Sequence, residues 1–168
     1  MRQAIAILAV AGLAGAASAN DFTGAYDPAN WTVADVAGGS VVFNGNTGVT
    51  LTSGDIGLAG DTTVTIAAAA TGTFSFDWSY SSGDSGDFDS GGYIHNGQFF
   101  LGQNDTPGSG SVAIAVNAGD TIGWYVNTLD GAFGPGTLAV TNFRGPIPAP
   151  GAAALLGLGG LALVRRRR

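Results

Sequence analysis

The feature that most constrains this chain is a two-residue alternation. In residues 73–80, Phe74, Phe76, Trp78 and Tyr80 fall on one side, and Thr73, Ser75, Asp77 and Ser79 on the other. Successive side chains of a β-strand point to opposite faces, so this pattern buries one face and wets the other. A 3.6-residue helical repeat would scatter it. The same period groups Val64 with Ile66; Val112 with Ile114 and Val116; Ile122 with Trp124 and Val126; and Leu138 with Val140. Between these runs stand glycine-rich breaks. Asn96-Gly97 lies between Tyr93-Ile94-His95 and Gln98-Phe99-Phe100, a strong hairpin signal because both turn residues tolerate positive φ. Asn44-Gly45 after Val41-Val42-Phe43, and Ala118-Gly119-Asp120, mark further turns, and residues 130–136 form a loop. About eight strands at this spacing predict an all-β chain, a two-sheet antiparallel β-sandwich.

The two ends have a different composition. Arg2, an apolar stretch over residues 4–16 and the small-x-small sequence Ala17-Ser18-Ala19 fit a signal peptide over residues 1–19, cleaved after Ala19. At the other end a Pro-rich break, Pro146-Ile147-Pro148-Ala149-Pro150, precedes an apolar run over residues 151–164 and four arginines, Arg165, Arg166, Arg167 and Arg168. As a helix this run spans about 21 Å, against about 30 Å for a bilayer hydrocarbon core, so it is short for a permanent span. Terminal arginines snorkel to headgroups and stay on the cytoplasmic side, which suits transient insertion of this helix. The expected organisation is therefore a leader, 1–19, a β-sandwich domain, 20–145, and a terminal segment, 146–168.

The order of Pro148-Ala149-Pro150, a short Gly/Ala/Leu helix and a closing arginine cluster resembles the PEP-CTERM sorting signal of exopolysaccharide-producing Gram-negative bacteria. Ala149 stands where that signal carries glutamate. The resemblance implies an exosortase-type sorting protease as processing partner, transient residence in the inner membrane, and delivery to the cell envelope or extracellular matrix. An ordinary C-terminal anchor with a positive stop is the plainer reading of the same residues. A second resemblance, through Phe74-Ser75-Phe76-Asp77-Trp78, Gly92-Tyr93-Ile94-His95-Asn96-Gly97, Ala118-Gly119-Asp120-Thr121 and Phe133-Gly134-Pro135-Gly136, is to the jelly-roll-like sandwich of other exported proteins with this tail.

Charge excludes some partners. Residues 20–145 hold all twelve aspartates of the chain, no glutamate, no lysine and one arginine, Arg144. Such a surface repels nucleic acid and anionic lipid and attracts divalent cations. The chain has no cysteine, hence no disulfide, thiolate nucleophile or cysteine metal site.

The catalytic inventory is thin. Gly83-Asp84-Ser85-Gly86 looks like the serine-nucleophile tetrapeptide of trypsin-like proteases, but the single histidine, His95, follows it in the chain on an expected hairpin. A working triad needs nucleophile and base within hydrogen-bond reach. A pair of aspartates could hydrolyse a glycoside only at a defined separation. Asp84, Asp87 and Asp89 lie on a Gly/Ser-rich stretch and can converge on calcium, which takes six to eight oxygens; the alternative is a solvated acidic loop. Nothing in the sequence requires a cofactor. Trp78 and Trp124 share faces with apolar neighbours, as core residues do, whereas Tyr125 lies opposite Trp124 and is the candidate for stacking on a sugar ring. These residues lead to a non-enzymatic structural or adhesive sandwich, which the tail resemblance implies is delivered to the envelope, with a calcium-dependent carbohydrate-binding module as the alternative and an aspartate glycosidase third.

Overall fold

The computed structural model describes residues 17–149 apart from Gly86 and Asp105. The expected leader up to residue 16, Pro150, the apolar run and the four arginines lie outside the described residues. Eleven strands form two antiparallel sheets. The first sheet contains β3 (Ser40–Phe43), β4 (Gly48–Thr52), β11 (Gly136–Ile147), β6 (Gly72–Ser82) and β9 (Gly108–Val116) in that order, with β1 (Ala17–Asn20) also paired to β11. The second contains β2 (Thr32–Ala34), β5 (Gly60–Ala67), β10 (Thr121–Thr128), β7 (Asp89–His95) and β8 (Gln98–Asn104). The all-β two-sheet sandwich is as expected, with three strands beyond those legible in the sequence: β1, β2 and β4.

Alternation does set the core. On β6, Phe74, Phe76 and Tyr80 are buried while Thr73, Ser79 and Ser81 are exposed. Leu138 and Val140 of β11, Val49 and Leu51 of β4, Val64 of β5, and Ile122, Trp124 and Val126 of β10 complete the space between the sheets. At its centre Trp124, fully buried, is surrounded by Phe22, Trp31, Phe74, Phe76 and Phe143, with ring centres from 5.1 Å (Trp31) to 5.9 Å (Phe22) away. Offset and edge-on ring pairs of this kind add about 0.5–1.5 kcal/mol each beyond area burial. Trp78 is half-buried against the same core.

The segment after β1 closes one end of the sandwich. Asp27 caps a short 3-10 turn, Pro28–Asn30, by accepting from the Ala29 N–H at 3.0 Å. This turn and the preceding one, Gly24–Tyr26, drop Tyr26 and Trp31 into the core. The Tyr26 hydroxyl donates to the Pro146 carbonyl at 2.8 Å and accepts from the Ala69 N–H at 3.1 Å. Residues on both sides of the expected domain limits are therefore part of the sheet: Ala17 pairs with Ile147 and Ala19 with Gly145.

One irregularity shapes the outer face of the first sheet. Thr141 pairs with Asp77 and Arg144 with Ser75, so β11 carries one extra residue in this interval. Asn142 takes φ 51° in the resulting bulge. Strict alternation from Leu138 and Val140 would turn Asn142 inward and Phe143 outward. The bulge reverses this, leaving Phe143 fully buried and Thr141, Asn142 and Arg144 exposed.

Candidate functional site

The acidic stretch of Asp84, Asp87 and Asp89 sits at the end of the sandwich where β6 passes into β7, and it is divided rather than convergent. Asp89 is the first residue of β7, and with Gly91 and Tyr93 it faces the core side of the strand. It is 1 % exposed and accepts from Ser82 Oγ at 2.9 Å and from Ser53 Oγ at 3.4 Å. Ser53 Oγ in turn accepts from the Gly136 N–H at 2.8 Å. Asp89 is thus a structural knot joining the ends of β4 and β6 to the starts of β7 and β11, not a loop ligand. Asp84 and Asp87 remain on the loop, and Asp87 adopts φ 67°. Among the described residues no group of three or more acidic or histidine side chains is placed to hold a metal ion.

What this end does assemble is an open depression of about 320 Å³ lined by Gly83, Asp84, Ser85, Phe88 and Phe133. Phe133, at the tip of the loop between β10 and β11, is 81 % exposed and Phe88 is 42 % exposed. An isolated exposed apolar residue needs no explanation, but the loop that carries this one is tied to its neighbours. Phe133 has φ 66° and stands between Gly131 and Gly134, which also take positive φ. The Gly57 N–H donates to the Gly131 carbonyl at 2.6 Å, Leu129 N–H to the Phe88 carbonyl at 2.9 Å and Gly83 N–H to the Pro135 carbonyl at 3.2 Å. A Cβ on Gly134 would lie 3.2 Å from Gly83 Cα, so the two loop backbones pack closely. Ile56, Leu58 and Leu129 are also more than half exposed around this tip. Beside Phe133, Ser85 N–H binds Asp84 Oδ1 at 2.6 Å, while Asp84 Oδ2 is shielded and has no hydrogen-bond partner.

The stacking candidate is elsewhere. Tyr125 does lie opposite Trp124, but it is only 5 % exposed because Phe99 of β8 covers it edge-on, with ring centres 4.6 Å apart. Burial raises the Tyr125 phenol above its ordinary range. The exposed flat ring expected there is instead Phe133, whose only sequence signal is an aromatic residue inside a glycine-rich loop. Trp31, like Trp124, is part of the core.

The remaining candidates disperse as well. Ser85 precedes β7 and His95 ends it, so the strand separates the serine from the histidine. His95 Nε2 lies 3.1 Å from Asp120 Oδ2 at the opposite end of the sandwich. Asp120 also accepts from the Asn117 N–H at 2.7 Å and from Asn96 Nδ2 at 3.1 Å. These donors, the Asn117 amide foremost, hold its carboxyl down to about 2. Ala17 and Ala19 lie in β1, and Pro148 and Ala149 follow β11 without regular structure.

No protein-family model and no curated protein matches the chain. Among solved structures it is similar to a family 29 carbohydrate-binding module from Piromyces equi, at 12 % identity and TM-score 0.42, covering 79 % of this chain and 91 % of that one. It is also similar to family 35 carbohydrate-binding modules from Clostridium thermocellum (12 % identity, 66 % and 96 % covered, TM-score 0.35) and Paenibacillus barcinonensis (15 % identity, 74 % and 98 % covered, TM-score 0.34). At these values the likenesses decide nothing about a ligand.

Proposed function

We propose that this chain is a non-catalytic glycan-binding β-sandwich of an exported envelope protein, which uses the loop tip around Phe133 as its contact surface. Phe133 itself carries the reading: a ring 81 % exposed to water, carried on a loop that backbone hydrogen bonds tie to two others. A sugar offers the complementary surface, an apolar C–H face for the ring. Rigid aromatic side chains contribute contact area at low entropic cost, which favours such a platform over a mobile loop. Calcium is not needed in this reading, because Asp89 is engaged by Ser53 and Ser82. Phe133→Ala in the full-length chain, titrated calorimetrically with neutral oligosaccharides from the host envelope, is expected to weaken binding at least about 10-fold, the loss typical of truncating an interface anchor. Unchanged affinity in the variant removes Phe133 from the contact.

Delivery belongs to the terminal segments. The Pro148-Ala149-Pro150 triad, the apolar run and Arg165–Arg168 act in this proposal as a PEP-CTERM-like sorting signal read by an exosortase-type protease, after export directed by residues 1–19. Deleting residues 151–168 is expected to leave an exported domain that no longer fractionates with the envelope. The same fractionation with and without the tail would contradict the sorting role.

A further inference from the structure

We propose a second binding site, on the outer face of the first sheet, that takes a uronic acid residue of an acidic glycan through Arg144. It is separate from the loop tip: Gly136 stands at the tip end of β11 and Arg144 lies eight residues farther on, about 26 Å along an extended strand.

The site is an open groove of about 520 Å³ whose polar groups come from three adjacent strands: Ser75 and Asp77 of β6, Ser111 of β9, and Asn142 and Arg144 of β11. The β11 bulge builds it, since without the extra residue Asn142 would point into the core. Exposed on the sheet, Asn142 Nδ2 donates to Asp77 Oδ2 at 2.7 Å, and Ser111 Oγ donates to Asp77 Oδ1. Asp77 is therefore oriented by both neighbours, and these two donors keep its carboxyl below the usual range. Small residues, Ser75, Ser111 and Ala113, leave the centre of the groove shallow enough for a ring to approach.

Arg144 is the other half of the site. It is the one cationic side chain in residues 20–145. No described residue forms a hydrogen bond or ion pair with its guanidinium, although Asp77 stands on the same face two residues along β6 from its partner Ser75. The groove thus offers acceptors at one end and donors at the other. Asp77 can only accept, and Asn142 keeps its amide oxygen free to accept; both suit sugar hydroxyls. Arginine can only donate, in a fork that matches a carboxylate. The two ends are about 7 Å apart, two residues of strand, on the scale of one pyranose ring and its carboxylate. A neutral sugar leaves the fork without its charge-assisted partner, and an amino sugar is repelled by it. Sulfate would meet Arg144 but would face Asp77 with no donor to offer.

The test is an amide-shift titration of the full-length chain by NMR, with tetragalacturonate and with the same oligomer after carboxyl reduction to the neutral galactose chain. The expected result is saturable shifts at residues 75–77, 111–113 and 142–144 with the uronate, and binding at least 10-fold weaker with the reduced form. Arg144→Gln, an exposed substitution, is expected to bind both forms equally weakly, while Arg144→Lys retains part of the preference. Asp77→Asn is expected to weaken the reduced chain at least as much as the uronate, because it removes a hydroxyl acceptor from both and like-charge repulsion from the uronate alone. Equal binding of both forms by the wild-type chain, a preference that survives Arg144→Gln, or no binding of the uronate would each overturn the assignment.

Discussion

Removing a single oxygen atom from Tyr26 tests how the sandwich is closed. Tyr26 is fully buried, and its hydroxyl makes two hydrogen bonds across the fold, to the Pro146 carbonyl at 2.8 Å and from the Ala69 N–H at 3.1 Å. Tyr26→Phe keeps the ring, its edge-on contact with Phe143 at 5.2 Å and its packing against Gly145. What it leaves is a buried carbonyl and a partly buried amide without partners. Each such loss costs about 1–3 kcal/mol, toward the lower end for the less buried amide, so the expected destabilisation is about 2–3 kcal/mol. With a urea m-value of about 2 kcal/mol/M, the unfolding midpoint of the full-length chain should fall by about 1–1.5 M at unchanged m. A second signature is available at alkaline pH. Burial raises the Tyr26 phenol above 10, only partly offset by the Ala69 N–H. Its protonated form is favoured in the native state, so this contribution is complete below pH 10 and is lost as pH rises through the native value. The variant should lose less stability over that range than the wild type. A midpoint shift below about 0.3 M would refute the closure, and with it the inclusion of Pro146 in the folded domain.

Two further outcomes follow from the same geometry. Asp120 is depressed from 3.8 to about 2, so its stabilisation is present above its ordinary range and is lost as pH falls through the native value; the thermal midpoint should drop between about pH 4 and pH 2, and less so in Asp120→Asn. An acid limb identical in the variant would show that the Asn117, His95 and Asn96 contacts contribute nothing. Because Asp89 is buried among serines, excess chelator should alter neither the melting temperature nor the neutral-glycan affinity of the full-length chain, as followed by calorimetry; a fall in either would restore a cation to the Asp84–Asp87 loop.

Much of the architecture was legible because strands buried on one face leave a period-2 record. Residues 73–80 of β6 are the clearest case, and Trp124 falls in the core as its neighbours Ile122 and Val126 indicate. The missed strands have weak records for physical reasons. β2 has three residues, all exposed, β4 begins at a glycine directly after a turn, and β1 is a run of small residues that also suits a leader cleavage site. The sites were harder to read, since each depends on something nonlocal. Alternation gives the face of Tyr125, opposite Trp124, but whether that face is open depends on Phe99 from β8. Asp89 belongs to a Gly/Asp-rich stretch by composition and to the core by strand register. Asn142 and Arg144 share their groove because of a bulge that simple alternation contradicts.

The most direct test of the central claim is to map where a neutral envelope oligosaccharide touches the full-length chain, using backbone amide shifts through a saturating titration. Glycan binding at the loop tip predicts perturbations concentrated at residues 83–88 and 129–135, with Phe133 among the largest. Saturating shifts confined to other parts of the sandwich, or no saturation with any envelope glycan, would contradict it.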